Sequence, residues 1–508
     1  MSDRVVLSPE MVESICARVD TSPLSEHDRT VIKAVMRDYL LLGRAFIEKS
    51  HSVSRLLKMF FGAATEKGRT VLGVPKVKKE KGKPKGHGRK GAGAYTGARK
   101  VTVSSPLKAG DVCPLCEKGK VYPAGSGVTV RITGNAPLDA TLWEKEKLRC
   151  NLCGEVFSPD LPKEAGDKKY DETAGAMISL LKYGSGLPLN RLDELQESLG
   201  VPLPASTQWE IIEKTADRIY PAYQELIRCA AQGALLHNDD TTMKILAAAE
   251  DGERSGTFTT GVLSVTDEQK IALFFTGHKH AGENLADLLK ERPPDRGPPL
   301  QMCDALSRNM PKEFVTLLAH CLAHARRNFV DIAESFMEEC RYAIEILAGV
   351  YRNDAIARDM TPACRLAYHQ AESAALMEEL HEWMNRQFNE RKVEPNSGLG
   401  KAFSYMLKHW GPLTLFLRVE GVPLDNNICE RALKMAIRHR RNSLFYKTMH
   451  GAYIGDLFMS IIHTCRLSKV NPFDYLVTLQ KHTHEVFKNP EKWLPWNYRT
   501  EAAGSSLR

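Results

Sequence analysis

Three acidic residues far apart in the chain, Asp239, Asp304 and Glu430, have types and settings that suit a divalent-metal site. Asp239 and its neighbour Asp240 fall in the strand-like run Ala234-Leu-Leu-His-Asn-Asp-Asp-Thr-Thr. Asp304 closes the apolar run Leu300-Gln-Met-Cys. Glu430 follows Asp425-Asn-Asn, residues able to cap a helix, and so belongs to that helix's first turns. Carboxylates neutralise Mg²⁺, which takes few protein ligands and completes its shell with water and substrate phosphate. A pair of such ions flanking a phosphate supports in-line displacement at phosphorus. Taken singly, an aspartate at a strand end is more often a turn or cap residue. Asp239 and Asp240 remain alternatives, because adjacent strand residues face opposite sides.

A second metal chemistry is written in the cysteines. Of twelve, four form two pairs, Cys113-Pro-Leu-Cys116 and Cys150-Asn-Leu-Cys153. Two such knuckles offer four thiolates to a tetrahedral structural Zn²⁺ that would fold its module. The gap between the pairs is longer than the usual spacing, with strand-like residues around Val128–Ile132 filling it as in a zinc ribbon. The other eight cysteines are scattered, which fits a reducing compartment.

Charge is as unevenly placed as chemistry. The net charge is +8, yet residues 76–100 hold ten Lys or Arg and one acid, so the rest of the chain is near neutral. This arm, with Lys85, Arg89 and Lys90 around Gly86-His-Gly, cannot bury a core and suits salt-sensitive contact with a polyanion such as DNA. Its plain alternative is a solvated linker. No signal peptide and no apolar stretch of membrane-spanning length is visible, so a cytoplasmic protein without membrane contact is expected, nucleoid-associated if it binds DNA.

The elements that must position the acids can be read next. Strands are expected near 234–246, 256–265 and 270–278, then a helix over 281–291, a strand over 300–304 and a fifth from Val315. Three strands, helix, strand, helix, strand is the order of an RNase H-like core, in which the first and fourth strands lie side by side. Asp239 and Asp304 would then converge. Residues 329–351, 364–390 and 400–419 read as helices inserted before Glu430. Upstream, Ser25 with Asp28 opens an amphipathic helix with heptad spacing from Ile32, suited to pairing with another helix. Residues 190–199, a turn at Gly200-Val-Pro-Leu-Pro, and a helix from Ser206 or Thr207 through Ile219 outline a helix-turn-helix. The expected fold is thus multidomain α+β. A helical, coiled-coil segment (1–75), a basic linker (76–100), a zinc-ribbon-like module (101–165) and a helical DNA-binding region (166–232) precede the core. An RNase H-like α/β catalytic core (233–330) carries a helical insertion (331–420), is completed by the glutamate helix (421–465) and ends in a tail (466–508).

Arg431, Lys434, Arg438, Arg440 and Arg441 follow Glu430, and Glu430, Lys434 and Arg438 share a helix face at i, i+4 and i+8. They are expected to hold a DNA strand, against the alternative of an exposed charged helix. His324, Arg326 and Arg327 have no role derivable from the sequence; His324 is as readily a core histidine.

The chain resembles the large transposase of the IS-sixty-six-type insertion sequences over nearly its whole length. The resemblance rests on Leu56-Leu-Lys-Met-Phe-Phe-Gly-Ala-Ala-Thr-Glu-Lys67, Gly86-His-Gly-Arg-Lys90, Cys113-Pro-Leu-Cys116 and Asn238-Asp-Asp-Thr241. It rests further on Cys321-Leu-Ala-His-Ala-Arg-Arg-Asn-Phe329, Asp425-Asn-Asn-Ile-Cys-Glu-Arg-Ala-Leu-Lys434 and Asn471-Pro-Phe-Asp-Tyr-Leu476. Leu322 stands where an aromatic is common in the family, and Ala63-Ala64 replaces a more basic pair. The resemblance implies a triad of Asp239, Asp304 and Glu430 holding two Mg²⁺ ions, with Mn²⁺ able to substitute, for strand cleavage and strand transfer. It also implies DNA ends and target as partners and small accessory proteins; bringing two ends together argues for at least a dimer. The competing readings are a catalytically silent, zinc-containing DNA-binding protein and an RNase H-like nuclease that cuts without joining.

Overall fold

A computed structural model describes residues 9–36, 106–122, 132, 136–149, 151, 156–247, 256–266 and 269–505. The chain divides into two compact units, residues 75–137 and residues 1–74 with 138–508. The basic arm, the heptad positions beyond residue 36, and Cys150 and Cys153 lie outside the described residues. Within the smaller unit, a bridge between Val112 and Lys120 closes a tight turn that carries Cys113 and Cys116. In the larger unit, Leu148–Arg149 pairs antiparallel with Val156–Phe157. Near the N-terminus a helix spans Pro9–Asp20, and a second one over 26–36 is capped by Ser25, whose hydroxyl accepts the Asp28 N–H at 3.2 Å and donates to its carboxylate at 2.6 Å.

The main unit is built on helices α1 (Glu172–Ser179), α2 (Leu189–Ser198) and α3 (Ala205–Ala231), followed by a five-stranded sheet. The turn between α2 and α3 uses Gly200 at φ +76°, a left-handed position that favours glycine. The sequence suggested that the second helix stops at Ile219, but α3 runs through Pro221 to Ala231. Proline inside a helix costs about 3 kcal/mol. Burial of Ile211, Ile212, Ile219, Ala222, Tyr223, Leu226 and Ala230 along one face outweighs that loss.

The strands are β1 (Leu235–Thr242), β2 (Phe258–Val265), β3 (Lys270–Gly277), β4 (Leu300–Cys303) and β5 (Leu317–His320), with helix α4 (Ala281–Leu289) between β3 and β4. Their spatial order is β3-β2-β1-β4-β5. The β1–β2 and β2–β3 pairs are antiparallel, and β1–β4 and β4–β5 are parallel. The first and fourth strands are therefore neighbours, with Leu235 opposite Leu300 and His237 opposite Met302. Continued by two residues, this register sets Asp239, inside β1, beside Asp304, the residue after β4.

The segment between Asp304 and Glu430 forms α5 (Leu322–Ile332), α6 (Met337–Ile356), α7 (Pro362–Glu372), α8 (Ala374–Asn389) and α9 (Gly398–Lys408). These helices have a core of their own around Phe329, Leu347, Leu380, Met384 and Phe403. The chain then returns as α10 (Asn427–Ser443), α11 (Met449–Leu467) and α12 (Pro472–Lys481), which share one core with α1–α3 and the sheet.

Strand β3 lies at the edge of the sheet, where alternate N–H groups would lack a partner. Helix α11 supplies one for each. The Thr464 hydroxyl accepts the Ala272 N–H at 3.1 Å, that of Ser460 accepts Phe274 N–H at 2.9 Å, and the Asp456 carboxylate accepts Thr276 N–H at 2.6 Å. Four residues of helix rise ~6 Å and two residues of strand ~6.7 Å, so positions i, i+4, i+8 match the strand's i, i+2, i+4. The helix thus takes the place of a sixth strand.

Ser460→Ala should cost about 1–3 kcal/mol by leaving the buried Phe274 N–H unpaired. Asp456→Ala, which strands the N–H of Thr276 and leaves its hydroxyl only the Thr259 hydroxyl at 2.8 Å, should cost more. Both are read as a lower urea midpoint at unchanged m-value. A wild-type midpoint in Asp456→Ala would mean that these bonds do not close the edge.

Candidate active site

The site begins with polar residues inside β1. His237 and Asn238 are buried in a strand whose neighbours are apolar, so each needs a partner. Asn426, the residue before α10, provides one for each: its side-chain oxygen lies 2.9 Å from His237 Nδ1, and its amide donates to the Asn238 carbonyl at 3.1 Å. Its backbone N–H points to Cys321 Sγ at 3.2 Å, and its carbonyl accepts the Glu430 N–H at 3.1 Å. One side chain thus ties the start of the glutamate helix to β1. The sequence suggested a capping role for Asp425, Asn426 or Asn427. Asp425 is the one that accepts a helix N–H, from Asn427 at 3.1 Å, while the Asn426 side chain is spent on the strand.

The loop carrying Asp304 is held by a buried amide network. Gln301 donates to Asn238 Oδ1 at 2.9 Å and to the Asn309 carbonyl at 2.8 Å, and Asn238 donates to the same carbonyl at 2.7 Å. Asn309 in turn donates to the Asp304 carboxylate, which also accepts the Leu306 N–H at 3.2 Å. Gln301 and Asn309 were not singled out from the sequence, and Asn426 was read there only as a capping candidate. The available signal was polar residues in apolar runs, which name a need for partners but not the partners themselves.

Helix α10 comes close to the sheet beside Asp239. Asp239 is paired in register with Gly261 of β2, where a Cβ would lie 3.0 Å from Leu433 of α10. The Cys429 thiol meets the Gly261 carbonyl at 3.4 Å. A side chain at position 261 would press on Leu433, which would have to give by a few tenths of an ångström.

The electrostatics separate the two adjacent aspartates. Burial and then the charge of Asp304 push the Asp239 carboxyl up to about 7, with Asp240 and Glu430 adding to the rise. Asp240 is turned to other partners, His280 Nδ1 at 2.8 Å and the Arg308 guanidinium at 3.1 Å, with 1% of its side chain exposed. Asp239 is the aspartate that shares an electrostatic environment with Asp304 and Glu430. Glu430 keeps one oxygen, Oε1, buried and without a hydrogen-bond partner. An all-oxygen donor set with uncompensated negative charge fits a hard divalent cation.

The remaining candidates are distributed as follows. Arg431, Lys434, Arg438 and Arg441 are exposed on α10, and Arg438 reaches the Gly184 carbonyl at 3.5 Å. Arg440 is engaged by the end of β1, donating to the Thr241 hydroxyl at 3.0 Å and the Thr242 hydroxyl at 2.6 Å. His324 lies 3.8 Å from Glu430, and Arg326 and Arg327 follow it on α5, each partly buried. Lys85, Arg89 and Lys90 are outside the described residues. Of the four paired cysteines, Cys113 and Cys116 are described. Backbone N–H groups of Lys118 and Gly119, and then the Cys113 side chain, hold the Cys116 thiol below its usual range, a setting that suits a metal-ligating thiolate.

Because the Asp239 carboxyl is raised from its unfolded value near 3.8 to about 7, its contribution to stability is intact below pH 4 and is lost as pH rises to 7. In metal-free protein, Asp239→Asn should therefore be neutral near pH 4 and stabilising by on the order of 4 kcal/mol above pH 7. Thermal melts across this range with EDTA check it. A gain independent of pH would contradict the burial and charge account.

Comparison with known proteins places the chain in a family. The sequence matches the family described as "Transposase IS66 family" over residues 169–454, from α1 into α11. Three proteins of Sinorhizobium fredii (strain NBRC 101917 / NGR234) are similar. Uncharacterized protein y4hP is 26% identical over 440 residues, covering 80% of this chain and 76% of that protein. Uncharacterized protein y4jD is 31% identical over 193 residues, 37% of each chain. Uncharacterized protein y4qI is 23% identical over 346 residues, covering 65% of this chain and 63% of its own length. The family match takes in both aspartates, the helical insertion and the glutamate helix, more than half of the sequence, and the chain belongs to the IS66 transposase family.

Proposed function

We propose that the chain is a DDE-type DNA transposase whose RNase H-like core uses Asp239, Asp304 and Glu430 for strand cleavage and strand transfer at the ends of an insertion sequence. The observation that carries this reading is the shared environment of the acids. Neighbouring strand ends bring Asp304 near enough to raise the Asp239 carboxyl, and the Asn426 tie sets Glu430 beside them. The engagement of Asp240 with Arg308 and His280 supports Asp239 as the member of the triad.

Asp239, Asp304 and Glu430 would hold two Mg²⁺ ions, with Mn²⁺ as a substitute. Bound there, such ions supply charge neutralisation at the scissile phosphate and activation of the attacking hydroxyl. The protein's own part is placement. The buried amide network fixes Asp304, the sheet fixes Asp239, and the close packing at Gly261 fixes the approach of the glutamate helix. Lys434 and Arg438, on the face of Glu430, with Arg431 and Arg441, present positive charge to a DNA backbone next to the acids. Arg440 acts one step back, by holding the end of β1. Lys85, Arg89 and Lys90 add phosphate contacts from the basic arm, and Cys113, Cys116, Cys150 and Cys153 hold a structural Zn²⁺. The partners are element-end and target DNA, a second copy of the chain on DNA, and small accessory proteins. No helix among the described residues is long and apolar enough to cross a membrane; we place the chain in the cytoplasm, at the nucleoid.

The test is cleavage and joining of labelled element-end DNA with Mg²⁺ or EDTA. Asp239→Asn, Asp304→Asn and Glu430→Gln should each lower the metal-dependent product by about a thousandfold or more while DNA binding persists. Asp240→Asn should retain metal-dependent product. Full activity in Glu430→Gln would remove the triad reading. Cleavage without joining would favour a nuclease, and binding without product from wild type, accessory proteins supplied, a silent DNA-binding protein.

A further inference from the structure

The tightest cluster of metal-ligand types among the described residues is Cys321, His324 and Glu430, with one ligand atom of each within 4.8 Å of the others. This is a different set from the triad, and it shares only Glu430 with it.

Its chemistry is also different. Cys321 precedes α5, and His324 sits in the first turn of that helix. The thiol is buried, which pushes it up to about 11, yet backbone N–H groups of Asn426, His324 and Ala323 converge on the sulfur and favour its thiolate. His324 and Glu430 are 25% and 28% exposed, so a small ion can arrive from solvent. Glu430 Oε1, the oxygen that faces His324 Nε2, is buried without a hydrogen-bond partner. An orphaned carboxylate oxygen in a cluster with a sulfur and an imidazole is costly unless something joins it to them. Sulfur, imidazole nitrogen and one carboxylate oxygen are the ligands of Zn²⁺ with an open fourth position, whereas Mg²⁺ takes oxygen. From the bond lengths, tetrahedral Zn²⁺ sets its ligands roughly 3.4–3.6 Å apart. His324 Nε2 and Glu430 Oε1 already lie 3.8 Å apart.

We propose that Cys321, His324 and Glu430 form a site for a thiophilic divalent cation, Zn²⁺ above all, and that its occupancy withdraws Glu430 from the magnesium triad and inhibits strand chemistry. On binding, the thiol releases its proton to solvent and the sulfur coordinates the ion; no redox step is involved. Binding stands on the geometry alone, while inhibition rests on the proposed function. The site is separate from the four-cysteine zinc module and would titrate independently of it.

The experiment uses the full chain as purified, in excess Mg²⁺, titrated with Co²⁺ as a visible substitute for Zn²⁺. Wild type should develop a thiolate-to-cobalt charge-transfer band. Cys321→Ser should lose it, His324→Ala should weaken binding by at least about tenfold, and Asp239→Asn should keep it. No band in wild type, or the same band in Cys321→Ser, would overturn the site. In parallel, Zn²⁺ is added to the Mg²⁺-dependent cleavage assay, each protein compared with its own zinc-free rate. Wild type should be inhibited, and Cys321→Ser should need at least about tenfold more Zn²⁺; equal sensitivity would overturn the inhibition. Absence of cleavage by wild type would count against the transposase reading, and the cobalt spectrum would still decide the metal site.

Discussion

Three carboxylates gathered in a partly buried space repel one another and lose hydration, so nothing local would bring Asp239, Asp304 and Glu430 together. The surrounding fold imposes the arrangement against that cost, and the raised Asp239 carboxyl is its visible trace. Each acid is held by a different device. Asp239 rides on a central strand bonded on both sides. Asp304 sits on a loop gripped by Asn309, and Glu430 on a helix whose first residues are tied to β1 through Asn426.

The devices share a physical logic, which is the satisfaction of buried polar groups. His237, Asn238 and Gln301 in the sheet would be destabilising alone. Joined to Asn309 and Asn426, they become the links that fix where the acids lie. The same logic operates at the far edge of the sheet. There Asp456, Ser460 and Thr464 of α11 answer the N–H groups of Thr276, Phe274 and Ala272 and cover the β3 edge.

Helix α10 combines two opposed surfaces. One packs Cys429, Leu433 and Ala436 on the sheet, close enough that a Cβ at position 261 would lie 3.0 Å from Leu433. The other presents Glu430, Lys434 and Arg438 in a row, so the acid and the cations that would steady a DNA strand are placed by one rigid element. Arg440, drawn onto the end of β1, belongs to neither row and shows how a basic residue in the same run can be structural.

Much of this was legible from the sequence. Strand order, the capped helix of Glu430 and the helical nature of the insertion follow from local patterns, because periodicity and capping are properties of a few neighbouring residues. Alternation left Asp239 and Asp240 as alternatives, since it says that they face apart but not which way, and only the family resemblance favoured Asp239; Arg308 and His280, distant in sequence, engage Asp240. It ended α3 near Pro221, where long-range packing carried the helix on to Ala231. The partners of His237, Asn238 and Gln301, the edge ladder of α11 and the meeting of Cys321 and His324 with Glu430 were not readable at all. Each joins residues distant in sequence, and only the tertiary structure decides which of many polar groups finds which.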